Sequence, residues 1–176
     1  MSVAAADAGG ALARLRGVLG EQGGLLASLL VERAPSQRSA PAELAARGPR
    51  ARADPGEYEL LMEAIYEGYL LHYGRPRLLT DTLEDDLALL AGDQLYALGL
   101  ARLVRLGDVA AVAELADVIT LCALAHGDAE PELAQAVWQA GARAIGWGAG
   151  PEHERAKVLA RAGSPDALAA MRAAAA

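Results

Sequence analysis

Phenylalanine is absent from this chain, tryptophan occurs twice, and aromatics make up only 4% of its 176 residues. The interior must therefore be built from Leu, Val and Ala, and since Ala and Leu form helices readily and strands poorly, an all-α fold is the expectation. One cysteine, Cys122, rules out an internal disulfide framework and a thiolate metal cluster, and its setting in Leu-Cys-Ala-Leu reads as a small buried apolar residue. Lysine is nearly missing as well. Lys157 stands alone beside fifteen arginines, and the formal net charge of -7 argues against a nucleic-acid ligand, which needs a basic face to neutralise phosphates. No uninterrupted apolar run approaches the roughly 18 residues of a membrane-spanning helix, and residues 1–10 contain Asp7 but no basic residue, so neither a transmembrane segment nor a signal peptide is expected and a cytoplasmic location follows as the default. Phosphate-binding loops of the P-loop type, Gly-x-Ser-x-Gly elbows and His-Glu-x-x-His zinc motifs are all missing. His72, His126 and His153 lie far apart in sequence, and none belongs to a Glu-x-x-His pair.

What is present is a chain of helices with clear punctuation. The length fits one domain with its own core. Residues 1–34 form an apolar N-terminal helical segment, with Leu12, Leu15, Val18 and Leu19, then Leu25, Leu26, Leu29 and Leu30, at helical spacing around a weak point at Gly23-Gly24. Residues 35–53, rich in Pro and Arg, read as a mobile basic linker. Residues 54–176 make the main helical domain. Asp54-Pro55 starts a helix that stops at Gly74; Thr82, with Asp85 three residues on, starts another that runs to about Leu106; Asp108 caps a third, with Val112, Leu115, Ala116, Ile119 and Cys122 or Ala123 on its buried stripe. Glu130-Pro131, Gly150-Pro151 and Ser164-Pro165 open three more, giving a compact bundle of about six to seven helices.

The carboxylates carry the sharpest pattern. Glu59, Glu63 and Glu67 recur every four residues along one helix ridge, where like charges repel unless solvent or cations screen them. Spacing alone favours a solvated face over a cation site. From Asp54 to Asp93 there are ten acids and two arginines, a stretch able to attract the basic linker, a basic partner or Mg²⁺.

The segment Leu89-Leu90-Ala91-Gly92-Asp93-Gln94-Leu95-Tyr96-Ala97-Leu98-Gly99-Leu100, followed by Leu106-Gly107-Asp108 and Leu115-Ala116-Asp117-Val118-Ile119, resembles the middle of an isoprenyl (polyprenyl) diphosphate synthase. The similarity covers residues 57–130. Such synthases place an Asp-Asp-x-x-Asp motif ahead of an Arg-Arg-Gly-x-Pro segment, and together these bind Mg²⁺ and an allylic diphosphate. Here Tyr73-Gly74-Arg75-Pro76 is similar to the second element, and Glu63-Ala64-Ile65-Tyr66-Glu67 stands in place of the first. Only Glu63 and Glu67 remain as candidate metal ligands, Ala64 replaces the middle carboxylate, and no second aspartate-rich motif follows. A polynuclear Mg²⁺ site needs several converging oxygen ligands, so the resemblance implies a shortened, degenerate relative with partial synthase-like architecture, no catalytic residues and no cofactor of its own. Mg²⁺ would matter only if residual synthase-like activity exists. The implied role is an accessory or regulatory subunit, with a catalytic prenyl diphosphate synthase or a second copy of the chain as protein partner. Two alternatives stay open: a helical adaptor with no isoprenoid role, and a weak isoprenoid-binding protein in which Glu63, Glu67 and Asp93 line an apolar cavity. In the accessory reading Asp93 serves as a structural hydrogen-bond acceptor, with Gly92 and Gly99 allowing close helix approach.

Overall fold

A computed structural model of the chain describes residues 10–32 and 38–176. Nine α-helices form among the described residues: α1 Ala11–Gln22, α2 Gly24–Ser28, α3 Ala40–Arg47, α4 Pro55–Tyr73, α5 Asp85–Leu106, α6 Val109–Gly127, α7 Pro131–Trp147, α8 Pro151–Arg161 and α9 Ala167–Ala174. Extended pairing among them is limited to one antiparallel bridge between Leu30 and Leu79. The all-α expectation holds. Two helices exceed the expected count because Gly23, at φ 69°, separates α1 from α2, and because α3 forms inside the stretch read as a linker.

That stretch has an ordinary helical cause. Ser39 accepts the Ala42 amide as N-cap, Pro41 sits in the first turn and Glu43 faces the positive helix end. Pro41, Ala42 and Ala45 are buried against α4 and α7. At its end Gly48 touches Gly146 so closely that a Cβ there would lie 2.1 Å from the Gly146 carbonyl oxygen, and backbone meets backbone. The expected linker is thus a packed element over 38–53; its start at 35–37, and Arg33 before it, fall outside the described residues.

The long helices begin where the sequence grammar places them, with one exception. Asp54 caps α4 through the Glu57 amide at 3.0 Å, and Asp108 caps α6 through the Ala111 amide at 3.0 Å. Helix α5, however, begins at Asp85 and not at Thr82, because Thr82 turns its amide and hydroxyl to Thr80 and the capping box never forms. On α6 the buried stripe is Ala111, Leu115, Val118, Cys122 and Ala125. It lies about one position from the expected one, leaving Val112 and Ile119 at its edge and Ala116 and Ala123 exposed.

Helix α4 is central, with twelve of its nineteen residues buried. One face joins Met62, Ile65 and Tyr69 to a core shared with α3, α6, α7, α8 and α9; the other sets Leu60, Ala64 and Leu71 against α1, α2, α5 and the loop residues Leu78 and Leu79. Burial on nearly all sides leaves its glutamate ridge without open solvent. Helices α5 and α6 are less enclosed, and both are long and apolar enough by length and composition to cross a membrane. Leu89, Leu90, Val104, Val109 and Leu124 are exposed on them, although Asp93, Arg102 and Arg105 interrupt α5 and Glu114 and Asp117 interrupt α6.

Candidate functional site: a glutamate ridge closed by arginines

Glu63 and Glu67 are fully buried and Glu59 is 8% exposed, so the solvated-face reading of the ridge is overturned. The correction has a definite cause. After α4 ends at Gly74 the chain doubles back, and the loop is pinned to the N-terminal segment by the Val31 amide on the Leu78 carbonyl (2.9 Å) and the Thr80 amide on the Leu29 carbonyl (2.9 Å). This return lays Arg77 along the ridge. Its Nη2 donates to Glu63 Oε2 at 2.7 Å and its Nε to Glu67 Oε2 at 3.2 Å.

Each remaining carboxylate oxygen is also engaged. Glu67 Oε1 accepts the Arg77 and Leu78 amides, both at 2.5 Å, and Glu63 Oε1 accepts the Ser39 amide at 2.6 Å. Glu59 meets Arg38 at 3.0 Å and Arg14 at 3.4 Å. Arg38, from the stretch read as a basic linker, therefore does reach the acidic ridge. Buried charges persist only when paired and hydrogen-bonded, and this ladder provides both.

The arrangement bears directly on the Mg²⁺ that the resemblance implies. Mg²⁺ needs near-octahedral oxygen ligation with open positions for water or phosphate. Glu63 and Glu67 instead present oxygens already filled by a guanidinium and three backbone amides, and the middle position is Ala64. The donor set does not fit the metal. No group of three or more His, Cys, Asp or Glu side chains suited to a metal ion occurs among the described residues. Arg75, at the position similar to the second synthase element, is exposed and paired with Asp81 at 2.6 Å.

The Gly-Asp pair on α5 serves a histidine. Asp93 is exposed, with its side chain 69% accessible and no aligned hydrogen bond among the described residues, so it is not the structural acceptor expected, and it does not share a cavity with the enclosed Glu63 and Glu67. Its Oδ1 lies 3.3 Å from His72 Nε2 without forming an aligned hydrogen bond. Gly92 makes room for that ring, since a Cβ there would lie 2.3 Å from His72 Cδ2. Gly99 does the same for Ile65, whose Cγ1 would be 2.3 Å away. Close approach of α4 and α5 is the structural content of the motif.

Two further polar groupings were not read from the sequence. Between α6 and α8, Glu114 bonds His153 Nε2 at 2.5 Å and Lys157 Nζ at 3.0 Å; Lys157 also reaches Asp117 at 2.8 Å, and Arg161 joins Asp117. Burial acts against the charge on Lys157, but the hydrogen bonds it donates to Asp117, Glu154 and Glu114 outweigh it and raise its pKa. Burial likewise opposes the Asp117 carboxylate, and the Lys157 and Arg161 bonds hold its pKa below the ordinary value. The Glu-x-x-Asp spacing of Glu114 and Asp117 and the i, i+4 spacing of His153, Lys157 and Arg161 were the available signals. On the other side of α6, Tyr69 and His126 share a 2.9 Å hydrogen bond while Tyr73 stacks on the His126 ring at 4.2 Å. The Cys122 thiol, buried beside the Ala134 carbonyl, has its pKa pushed up by desolvation and is no thiolate nucleophile.

The described chemistry is thus that of a helical protein whose most suggestive acids are satisfied internally. Searches against family models, curated proteins and solved structures gave no match for the chain.

Proposed function

We propose that this chain is a non-catalytic relative of the isoprenyl diphosphate synthases that acts as an accessory or regulatory subunit of a prenyl diphosphate synthase. The observation that carries the non-catalytic part is the closed Glu63–Arg77–Glu67 ladder: the acids standing where a synthase binds metal are occupied by an arginine and backbone amides. A partner has to supply both metal motifs. The synthase relationship itself rests on the residues 89–119 resemblance, with the glycine-mediated packing of α5 on α4 in keeping with it.

The surface offered to the partner is the outer side of α5. Leu90, Ala97 and Val104 recur seven residues apart there and all are exposed, as is Ala101 beside them, a spacing that suits packing along another helix. Mixing the protein with a full-length synthase from the same host should give co-elution on size exclusion and a change in rate or product chain length. The variant L90E/V104E should lose both while keeping its helical content. Absence of co-elution and of any effect on the synthase would sink the accessory reading. The same exposed stripe supports the second reading, a helical adaptor with no isoprenoid role, which is favoured if the protein forms a complex that contains no synthase and the L90E/V104E variant abolishes it.

A further inference from the structure

Helix α5 has 22 residues and so runs for about 33 Å, and its buried residues, Ala91, Leu95, Gly99 and Leu103 among them, lie on one side. Between Asp86 and Arg102 it carries a single charge, Asp93, which stands 3.3 Å from His72. The uncovered side presents two series seven residues apart, Leu87, Gln94 and Ala101, and Leu90, Ala97 and Val104, which interleave as the stripe of a helix-packing seam. Leu90 and Val104 keep 51% and 65% of their surface exposed. An aliphatic stripe of this length facing water marks an interaction surface, and the charges at its two ends specify the partner.

Glu84, Asp85 and Asp86 are exposed at the start of α5, and Arg105 is exposed at its end. None of the four forms an ion pair among the described residues, and Arg105 Nε reaches the Ala101 carbonyl of its own helix at 3.4 Å. One helix thus holds an unpaired acidic cluster and an unpaired cation about 30 Å apart, and the same helix run the other way supplies the complement of both. A parallel pair would set acids on acids and align the two helix dipoles; an antiparallel pair opposes the dipoles and brings Arg105 to the acids at both ends. Packing selects the same arrangement. With a two-fold axis between Gln94 and Ala97, Leu90 meets Ala101 of the second copy, large against small, and Leu87 meets its Val104. We infer that α5 is the seam of an antiparallel, two-fold homodimer, in which a second copy of this chain covers the stripe from Leu87 to Val104. This goes beyond the accessory-subunit reading: self-pairing occupies the side of α5 offered to a synthase, so the two associations compete.

The test uses the full chain with no synthase present, so its outcome is separate from that of the accessory role. In sedimentation equilibrium the average mass should rise with concentration from 18.2 kDa toward twice that value. Leu90→Glu should leave a monomer whose circular dichroism is that of the parent. Arg105→Glu and the double variant E84R/D86R should each weaken self-association about tenfold or more, because both ends of the seam turn from attraction to repulsion. In a parallel pair like charges would still meet like, and neither change would weaken it. An equimolar mixture of the two charge variants should recover most of the lost affinity, since each chain then supplies the charge the other needs at both ends. A chain that stays monomeric, a dimer untouched by Leu90→Glu, charge variants that self-associate as the parent does, or a mixture that fails to recover would each overturn the assignment.

Discussion

Replacing Arg77 by Met tests whether the glutamate ridge is held by its arginine. Methionine keeps much of the volume and the apolar stem, so the change isolates the guanidinium. In its absence Glu63 loses its 2.7 Å partner and Glu67 its 3.2 Å partner, and two fully buried carboxylates one helical turn apart are left with backbone amides alone. Breaking a buried pair by removing one member costs about 3–5 kcal/mol. The side chain of Arg77 is 21% accessible, so water admits some relief and the lower end of that range, about 3 kcal/mol, applies. For a chain of this size each kcal/mol corresponds to about 2–4 °C, giving a fall in Tm of about 10 °C in thermal denaturation followed by circular dichroism. The double variant R77M/E63Q should regain about 1–2 kcal/mol over R77M, because it removes one of the two stranded charges. A loss below about 1 kcal/mol in R77M, typical of an exposed ion pair, or a double variant no better than the single, would refute the ladder.

Three other outcomes follow from the same geometry. Gly99→Ala should destabilise by about 1–3 kcal/mol through the clash with buried Ile65 and the Leu61 carbonyl, whereas Gly17→Ala, in an exposed helical position with nothing within 4 Å, should stabilise by up to about 1 kcal/mol; paired urea titrations read both. Asp108→Ala removes the α6 N-cap together with the 2.6 Å contacts from Arg50 and Tyr58, and should cost about 2–3 kcal/mol while releasing the Tyr58 hydroxyl, whose pKa is pushed up to about 12 by burial and by that carboxylate, toward its ordinary value in a spectrophotometric titration. Burial lowers the pKa of His126 below its unfolded value near 6.5, so the unfolded chain binds a proton first: stability should be unaffected by this group above that pH and should decline as pH falls through the window between the unfolded and folded values, a slope that His126→Gln abolishes in pH-resolved melts.

The amino-acid sequence alone determined the helical class, since an Ala/Leu-rich chain without Phe has little else to build with, and it marked most helix ends, because Asp-Pro, Gly-Asp and Glu-Pro act through local capping and backbone geometry. It also marked Gly92 and Gly99 as points of close approach. The tertiary fold alone decided what the charged residues do. Glutamates spaced by four read as solvated because neighbouring positions on a helix do not say whether another element covers them. Coverage came from Arg77, brought back by a loop whose register is set by backbone pairing with residues 29–31, and from Arg38 and the Ser39 amide ahead of α3. Asp93 went the other way: leucines surround it in sequence, yet α4 covers only one side of α5, so the aspartate faces water while Gly92 beside it is buried. Burial depends on partners distant along the chain, and a local pattern cannot specify them.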